Sequence, residues 1–102
     1  FNEAVMVETG RAIPIAAGAI LKGRILNYKN KTVIRAHFYY RRYNGQVETL
    51  YADKWQVGNW VNIQADGSFQ DTIRPLKGSY EYKAVAEQDH VEIEGENNLF
   101  KR

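Results

Sequence analysis

The sequence predicts an all-β chain, an antiparallel β-sandwich of seven to eight strands. Three observations carry this. Apolar and polar residues alternate with period two, most clearly where Tyr80, Tyr82, Ala84 and Ala86 fall on one side and Ser79, Glu81, Lys83 and Glu87 on the other. Turn signals such as Thr9-Gly10, Asn44-Gly45 and Asp66-Gly67 recur roughly every ten residues. The only faintly helical patch, Ala16-Ala17-Gly18, is too short to matter.

The 102 residues make one domain, residues 1–102, long enough for a single core. Seven Tyr, four Phe and two Trp supply much of its apolar area. With 44% hydrophobic and 25% charged residues the composition is that of a folded chain, not a disordered one. No cysteine is present, which excludes a disulfide framework and a thiolate zinc site. No apolar run approaches the roughly 20 residues of a membrane-spanning helix. The chain begins at Phe1, as a processed or trimmed form would.

The elements follow in order. Asn2–Glu8 reads as a first, edge strand broken at Thr9-Gly10. Pro14 cannot donate to a ladder, so Ile13-Pro14-Ile15 belongs at an edge or a bend. Ala19–Tyr28 is a strand with Ala19, Leu21, Gly23 and Ile25 on its core side. Thr32–Tyr43 is a long strand closed by Asn44-Gly45, the strongest short-range hairpin signal. A two-residue loop there pairs Tyr43 with Gln46, Arg41 with Glu48, Tyr39 with Leu50, Arg35 with Lys54 and Ile34 with Trp55. It makes Ile34, Ala36, Phe38, Tyr40, Tyr51 and Trp55 the core face and leaves Arg35, His37, Tyr39, Arg41 and Tyr43 toward solvent. Gly58–Ala65 and Phe69–Arg74 read as a second hairpin, with a three-residue loop setting Val61 opposite Ile73 and Ala65 opposite Phe69. The strand from Ser79 to Glu87 is central, and a last strand lies within Val91–Phe100, after a turn at Gln88–His90.

Leu76-Lys77-Gly78-Ser79-Tyr80-Glu81-Tyr82 resembles the corner before the penultimate strand of immunoglobulin-like and fibronectin type III-like domains. There a tyrosine hydroxyl bonds back to the chain, the role the resemblance gives to Tyr80, while Tyr82 stands where those domains carry a cysteine. Asp66-Gly67-Ser68-Phe69 followed by Gly78-Ser79-Tyr80, with Leu21–Ile25 as an early strand, also resembles the prealbumin-like sandwiches common in exported and surface proteins of bacteria. The resemblance implies an immunoglobulin-like arrangement, an extracellular or cell-surface location, and a role as spacer, accessory module or binding surface. In that arrangement the central strand pairs with Thr32–Tyr43 and with the last strand.

Charge is unevenly placed. From Thr9 to Val47 there are eight basic residues and no acid, and from Glu81 to Glu96 six acids against one base, Lys83. The strand order just given lays the acidic segment beside Arg35–Arg42, so the halves are expected to neutralise each other within one sheet. That makes nucleic acid a poor partner, although Arg35, Arg41, Arg42, Tyr39 and Tyr43 have the composition that suits stacked single strands.

Catalysis finds no support. Ser68, His90 and Asp89 do not form a nucleophile elbow, and His37 reads as a solvated or stacking side chain. Asp66, Gly67, Asn62 and Asp71 could offer oxygens to calcium, but Asp-Gly is above all a turn signature, and no cofactor or metal is expected. Glu92, Glu94 and Glu96 read as a solubilising edge. The expected activity is binding: a non-catalytic binding or adhesion module of a secreted or cell-surface bacterial protein, with a protein or glycan ligand. Arg35, Tyr39, Arg41, Tyr43, Glu48 and Trp60 are the candidate contact residues, since planar rings stack on sugars while charged groups bond hydroxyls. A protein-interaction or inhibitor domain is the alternative, as a monomer or a weak homodimer through an exposed strand edge.

Overall fold

In the structure, a computed structural model, residues 6–27, 34–43, 54–74 and 78–100 are described. Eight strands build two antiparallel sheets, and no helix occurs among the described residues. Strands β1 (Met6–Ile15), β2 (Gly18–Leu26) and β5 (Ser68–Ile73) form the smaller sheet, in the order β1-β2-β5. Strands β3 (Ile34–Arg42), β4 (Gln56–Val57), β6 (Tyr80–Gln88) and β7 (Val91–Glu94) form the larger one in the order β4-β3-β6-β7, and β8 (Asn98–Phe100) also pairs with β6. The expected β-sandwich is therefore present.

The core lies between the sheets and follows the predicted alternation. Ala19, Leu21 and Ile25 from β2 meet Ala36 and Phe38 from β3 and Tyr82, Ala84 and Ala86 from β6. Phe69 completes it from β5, its ring 5.3 Å from that of Phe38. Burying a side chain of this size stabilises by about 1.5–3 kcal/mol. Gly23 sets how closely the sheets approach: a Cβ there would lie 2.8 Å from the Ala84 Cβ and 2.8 Å from the Phe69 ring. Tyr80 packs at the margin of the core, its ring 6.5 Å from that of Tyr40.

Several expectations are corrected. The first strand does not stop at Thr9-Gly10. It runs through as β1 with a bulge between Thr9 and Ala12. The bulge clips β1 onto the other sheet. The Ala84 N–H donates to Thr9 Oγ1 at 3.0 Å, and Asn98 Nδ2 donates to the carbonyls of Thr9 and Gly10. The Tyr82 hydroxyl donates to the Gly10 carbonyl at 2.6 Å, while residues 75–77, the corner to which the resemblance ties Tyr80, lie outside the described residues. The final strand is two pieces. At Gly95 the ladder opens to admit Thr9, where a Cβ would sit 2.5 Å from Thr9 Oγ1.

The second hairpin does not form. β5 pairs with β2, Phe69 opposite Gly23, because that register puts Phe69 and Ile73 into the core. Val61 instead makes an isolated bridge to Ala36 on the β3 edge. Ala16-Ala17 is a tight turn with Ala17 at φ 59°, and Pro14 sits on an edge strand as expected.

The most consequential correction concerns β4. Tyr39 pairs with Val57 rather than Leu50, seven positions along the chain. An odd shift turns every side chain to the opposite face. Trp55 therefore leaves the predicted core and stands on the outer face, beside Arg41. The Asn44-Gly45 turn, Tyr51 and Glu48 lie outside the described residues.

Candidate functional site

The outer face of the larger sheet is built from the odd positions of β3 and β6. Register sets Arg35 opposite Glu87, His37 opposite Val85, Tyr39 opposite Lys83 and Arg41 opposite Glu81. The expected neutralisation of basic β3 by acidic β6 and β7 is found here. Arg35 Nη2 donates to Glu87 Oε1 at 2.6 Å, Arg41 Nε to Glu81 Oε1 at 2.5 Å and Lys83 Nζ to Glu94 Oε1 at 2.9 Å. Glu92 accepts the Tyr39 hydroxyl at 2.6 Å. Two of the three acids expected to form a bare edge are thus engaged.

Two indoles from the 55–60 segment cover this lattice. Trp55 lies over Arg41 with the guanidinium carbon 4.1 Å from the ring centroid, and Lys83 Nζ is 4.6 Å from the same ring. Trp60 takes the Arg35 guanidinium at 3.9 Å and the His37 ring edge-on at 4.5 Å. Tyr39 stands between, 4.9 Å from His37 and 6.4 Å from Trp55. Such cation–π contacts contribute about 0.5–2 kcal/mol each, more when desolvated.

The expectation that this whole side faces solvent is corrected by that cover. His37 is 2% exposed, Glu81 5% and Val85 0%. His37 Nδ1 has no hydrogen-bond partner. What remains outermost is Val57, opposite Tyr39, and Trp60, 47% exposed, with Arg35 beside it and part of Tyr39. The Glu92 hydrogen bond, then burial and the nearby acids, push the Tyr39 phenol up to about 12. The Arg35 guanidinium holds the Glu87 carboxyl below its usual value.

The predicted residues are thus partly gathered. Arg35, Tyr39 and Trp60 share the outer surface. Arg41 is on the same face but buried beneath Trp55. Tyr43 is half-buried beyond the end of β3, where its backbone N–H donates to the Ser79 carbonyl. Glu48 lies outside the described residues. Sequence reasoning put Trp55 in the core and did not single out Lys83, while His37, expected as a solvated or stacking side chain, stacks on Tyr39 and Trp60. Trp55 and Trp60 are five positions apart and share a face only because the register slips by one between Tyr39↔Val57 and Ala36↔Val61, which no spacing in the sequence signals.

Beside Trp60 a groove of about 690 Å³ runs along the β5 edge, between that strand and residues 60–64. Lys22, Asn62, Gln64, Ser68 and Gln70 line it with Trp60, and no carboxylate is among its described lining residues. The turn at its end is closed by Asp66, whose Oδ1 accepts from the backbone N–H and hydroxyl of Ser68. Those hydrogen bonds lower the Asp66 carboxyl. Among the described residues no group of three or more His, Asp or Glu side chains is placed to hold a metal, and no helix is long and apolar enough to cross a membrane.

No family model, no curated protein and no solved structure matches the chain.

Proposed function

We propose that the protein is a non-catalytic binding module, and that its contact surface is the Trp60 end of the outer face together with the adjoining groove. One observation carries this reading. Trp60 is an indole held in place by Arg35 at 3.9 Å and His37 at 4.5 Å, yet it keeps 47% of its surface in solvent at the mouth of a groove. A large ring that is both rigid and half-exposed loses little entropy on binding and supplies much contact area. Tyr39 and Arg35 extend that surface, and Arg41, under Trp55, supports it from below. The likeness of Asp66-Gly67-Ser68-Phe69 followed by Gly78-Ser79-Tyr80 to prealbumin-like sandwiches supports placing such a module in an exported or cell-surface bacterial protein.

Retention of the purified chain on immobilised gelatin, on collagen and on insoluble or immobilised polysaccharides tests the reading. Wild type is expected to be held by at least one of these polymers, with loss of retention in Trp60→Ala. Passage of wild type through all of them, or equal retention of the variant, overturns it.

A further inference from the structure

The chemistry of the groove narrows the ligand. The geometry points to the groove between β5 and residues 60–64 as a site for an acidic saccharide, one carrying a uronate carboxylate. This inference rests on the binding reading above and deepens it. Three features of the lining carry it together.

The first is the ring. Trp60 offers a fixed apolar plane at the groove mouth, and the C–H face of a pyranose is the ligand surface that matches such a plane while keeping its rim polar. The second is the set of amides. Asn62, Gln64 and Gln70 each present both a donor pair and an acceptor, and the Ser68 hydroxyl, whose proton goes to Asp66, adds an acceptor. A sugar hydroxyl also donates and accepts, so an amide-rich wall satisfies adjacent hydroxyls that a purely cationic or purely anionic wall would not. The third is the charge. Lys22 points along the outer side of β2, opposite Gln70 in the register, and no carboxylate among the described lining residues faces it. The next cation on that side of β2, Arg24, stands opposite Ser68 and acts on the Asp66 carboxyl, while Arg35 is paired with Glu87 and Lys83 with Glu94. With an ammonium in the lining, and with the acid at the groove's end, Asp66, turned into its own turn by Ser68 and opposed by Arg24, the groove favours a ligand with an anionic group, and a carboxylate on the ring supplies it without removing the stacking face.

The site is framed by backbone as well as side chains. Gln64 N–H donates to the Ser68 carbonyl at 2.8 Å and Gly67 N–H to the Gln64 carbonyl at 2.9 Å, so the 64–68 turn that carries one wall is fixed. The Gly67 carbonyl in turn accepts from the Ile25 N–H at 2.8 Å, which ties the turn to β2. The ligand would meet a preformed trough and not a loop that must fold around it.

Titration of the labelled protein with oligogalacturonate and with hyaluronan tetrasaccharide, against cellotetraose as the neutral comparator, tests the inference by amide and indole NMR shifts. The expected result is saturable shifts at Trp60 Nε1–H and at the Asn62, Gln64 and Gln70 side-chain amides with at least one acidic saccharide, at least tenfold weaker binding of cellotetraose, and loss of affinity of about tenfold in Lys22→Gln. Lys22→Gln and Gln70→Ala are surface changes, and unchanged thermal unfolding keeps them interpretable where Trp60→Ala weakens the fold. Equal binding of neutral and acidic sugars, or equal affinity in Lys22→Gln, overturns the acidic-ligand inference. No shift with any saccharide, in a chain that gelatin or collagen still retains through Trp60, overturns the saccharide site and leaves the binding reading standing. No response to sugars or to the immobilised polymers overturns both.

Discussion

The two faces of the larger sheet are both largely shielded from water, by opposite means. The inner face presents Ala36, Phe38, Tyr82, Ala84 and Ala86 to another sheet, and its exclusion of water rests on apolar area. The outer face presents His37, Tyr39, Arg41, Glu81 and Lys83, and it is closed by two indoles lying over an ion-pair lattice. The difference teaches where function fits. A face closed by packing is complete and offers nothing. A face closed by a roof has a rim, and at that rim stands Trp60. The same cations do two jobs: their charge is matched by β6 and β7, and their planes or methylenes seat the rings.

The largest effect that separates the faces is expected at Phe38. Phe38→Ala removes a fully buried ring and is expected to cost about 3–5 kcal/mol in chemical denaturation, whatever the salt. On the outer face the Arg41–Glu81 pair is the counterpart, with both side chains nearly covered. Glu81→Ala removes the carboxylate that Arg41 Nε donates to under Trp55 and is expected to cost up to about 3 kcal/mol. The double change Arg41→Met with Glu81→Leu should recover most of that loss, since Trp55 can rest on methylenes as well as on a cation. If the double variant is as unstable as the single one, the outer face depends on its charges and the contrast drawn here is too sharp.

Asp71 blurs the contrast from the inner side. It shares the core-facing parity of Phe69 and Ile73 in β5, and its Oδ2 is buried without a partner. Gly58 lets the chain pass close by, for a Cβ there would lie 2.9 Å from that oxygen. Burial raises the Asp71 carboxyl, although the backbone N–H groups of Thr72 and Asn59 oppose the shift. A carboxyl raised on folding favours the native state below its unfolded value, and that contribution is lost as the pH climbs through the folded one. Asp71→Asn should therefore unfold at a higher temperature than wild type at pH 7, with the gain fading toward pH 3. A gain equally large at both pH values would point to shape, not charge.

Tyr39 gives the smallest and most specific readout. Its phenol is raised to about 12, chiefly by donating to Glu92. The unfolded chain ionises first, so the Tyr39 contribution is complete below pH 10 and is lost as the pH rises to about 12. Absorbance at 295 nm should show Tyr39 among the late-titrating tyrosines, with Tyr40 and Tyr82, whose phenols burial also raises, and Glu92→Gln should bring one of these down. An unchanged titration in that variant would remove the Tyr39–Glu92 contact from the lattice.

The inner face was legible in the sequence because alternation writes it directly: Ala19, Leu21, Gly23 and Ile25 on β2, and Tyr82, Ala84 and Ala86 on β6, fall where period two puts them. The pairing of basic β3 with acidic β6 was legible too, because strand order and charge agree. The outer roof was not. Placing Trp55 requires the register of β4 on β3, and a tight Asn-Gly loop implies a register seven residues away from the one found. Local turn chemistry fixes a register only when the flanking residues pair at once, and the pairing of β4 with β3 through Gln56 and Val57 does not follow from that loop. Likewise Thr9-Gly10 reads as a break, because a bulge that docks one sheet on the other depends on Asn98 and Tyr82, both more than 70 residues away. The Tyr82–Gly10 bond was not legible either, because it reaches across the sandwich to a residue that the local sequence around Tyr82 does not indicate. The groove is invisible in sequence for the same reason, since its walls come from β2, β5 and the 60–64 segment.

Everything proposed for the outer surface depends on which side of the sheet carries the two indoles, and proton–proton contacts measured by NMR in the free protein decide it directly. The account predicts contacts from the Trp55 ring to the side chains of Arg41 and Lys83, and from Trp60 to His37 and Arg35, with the Arg41 and Lys83 methylenes shifted upfield by the ring they touch. Contacts from Trp55 to Ile34 and Phe38, with Arg41 and Lys83 at the shifts of solvated side chains, would contradict it.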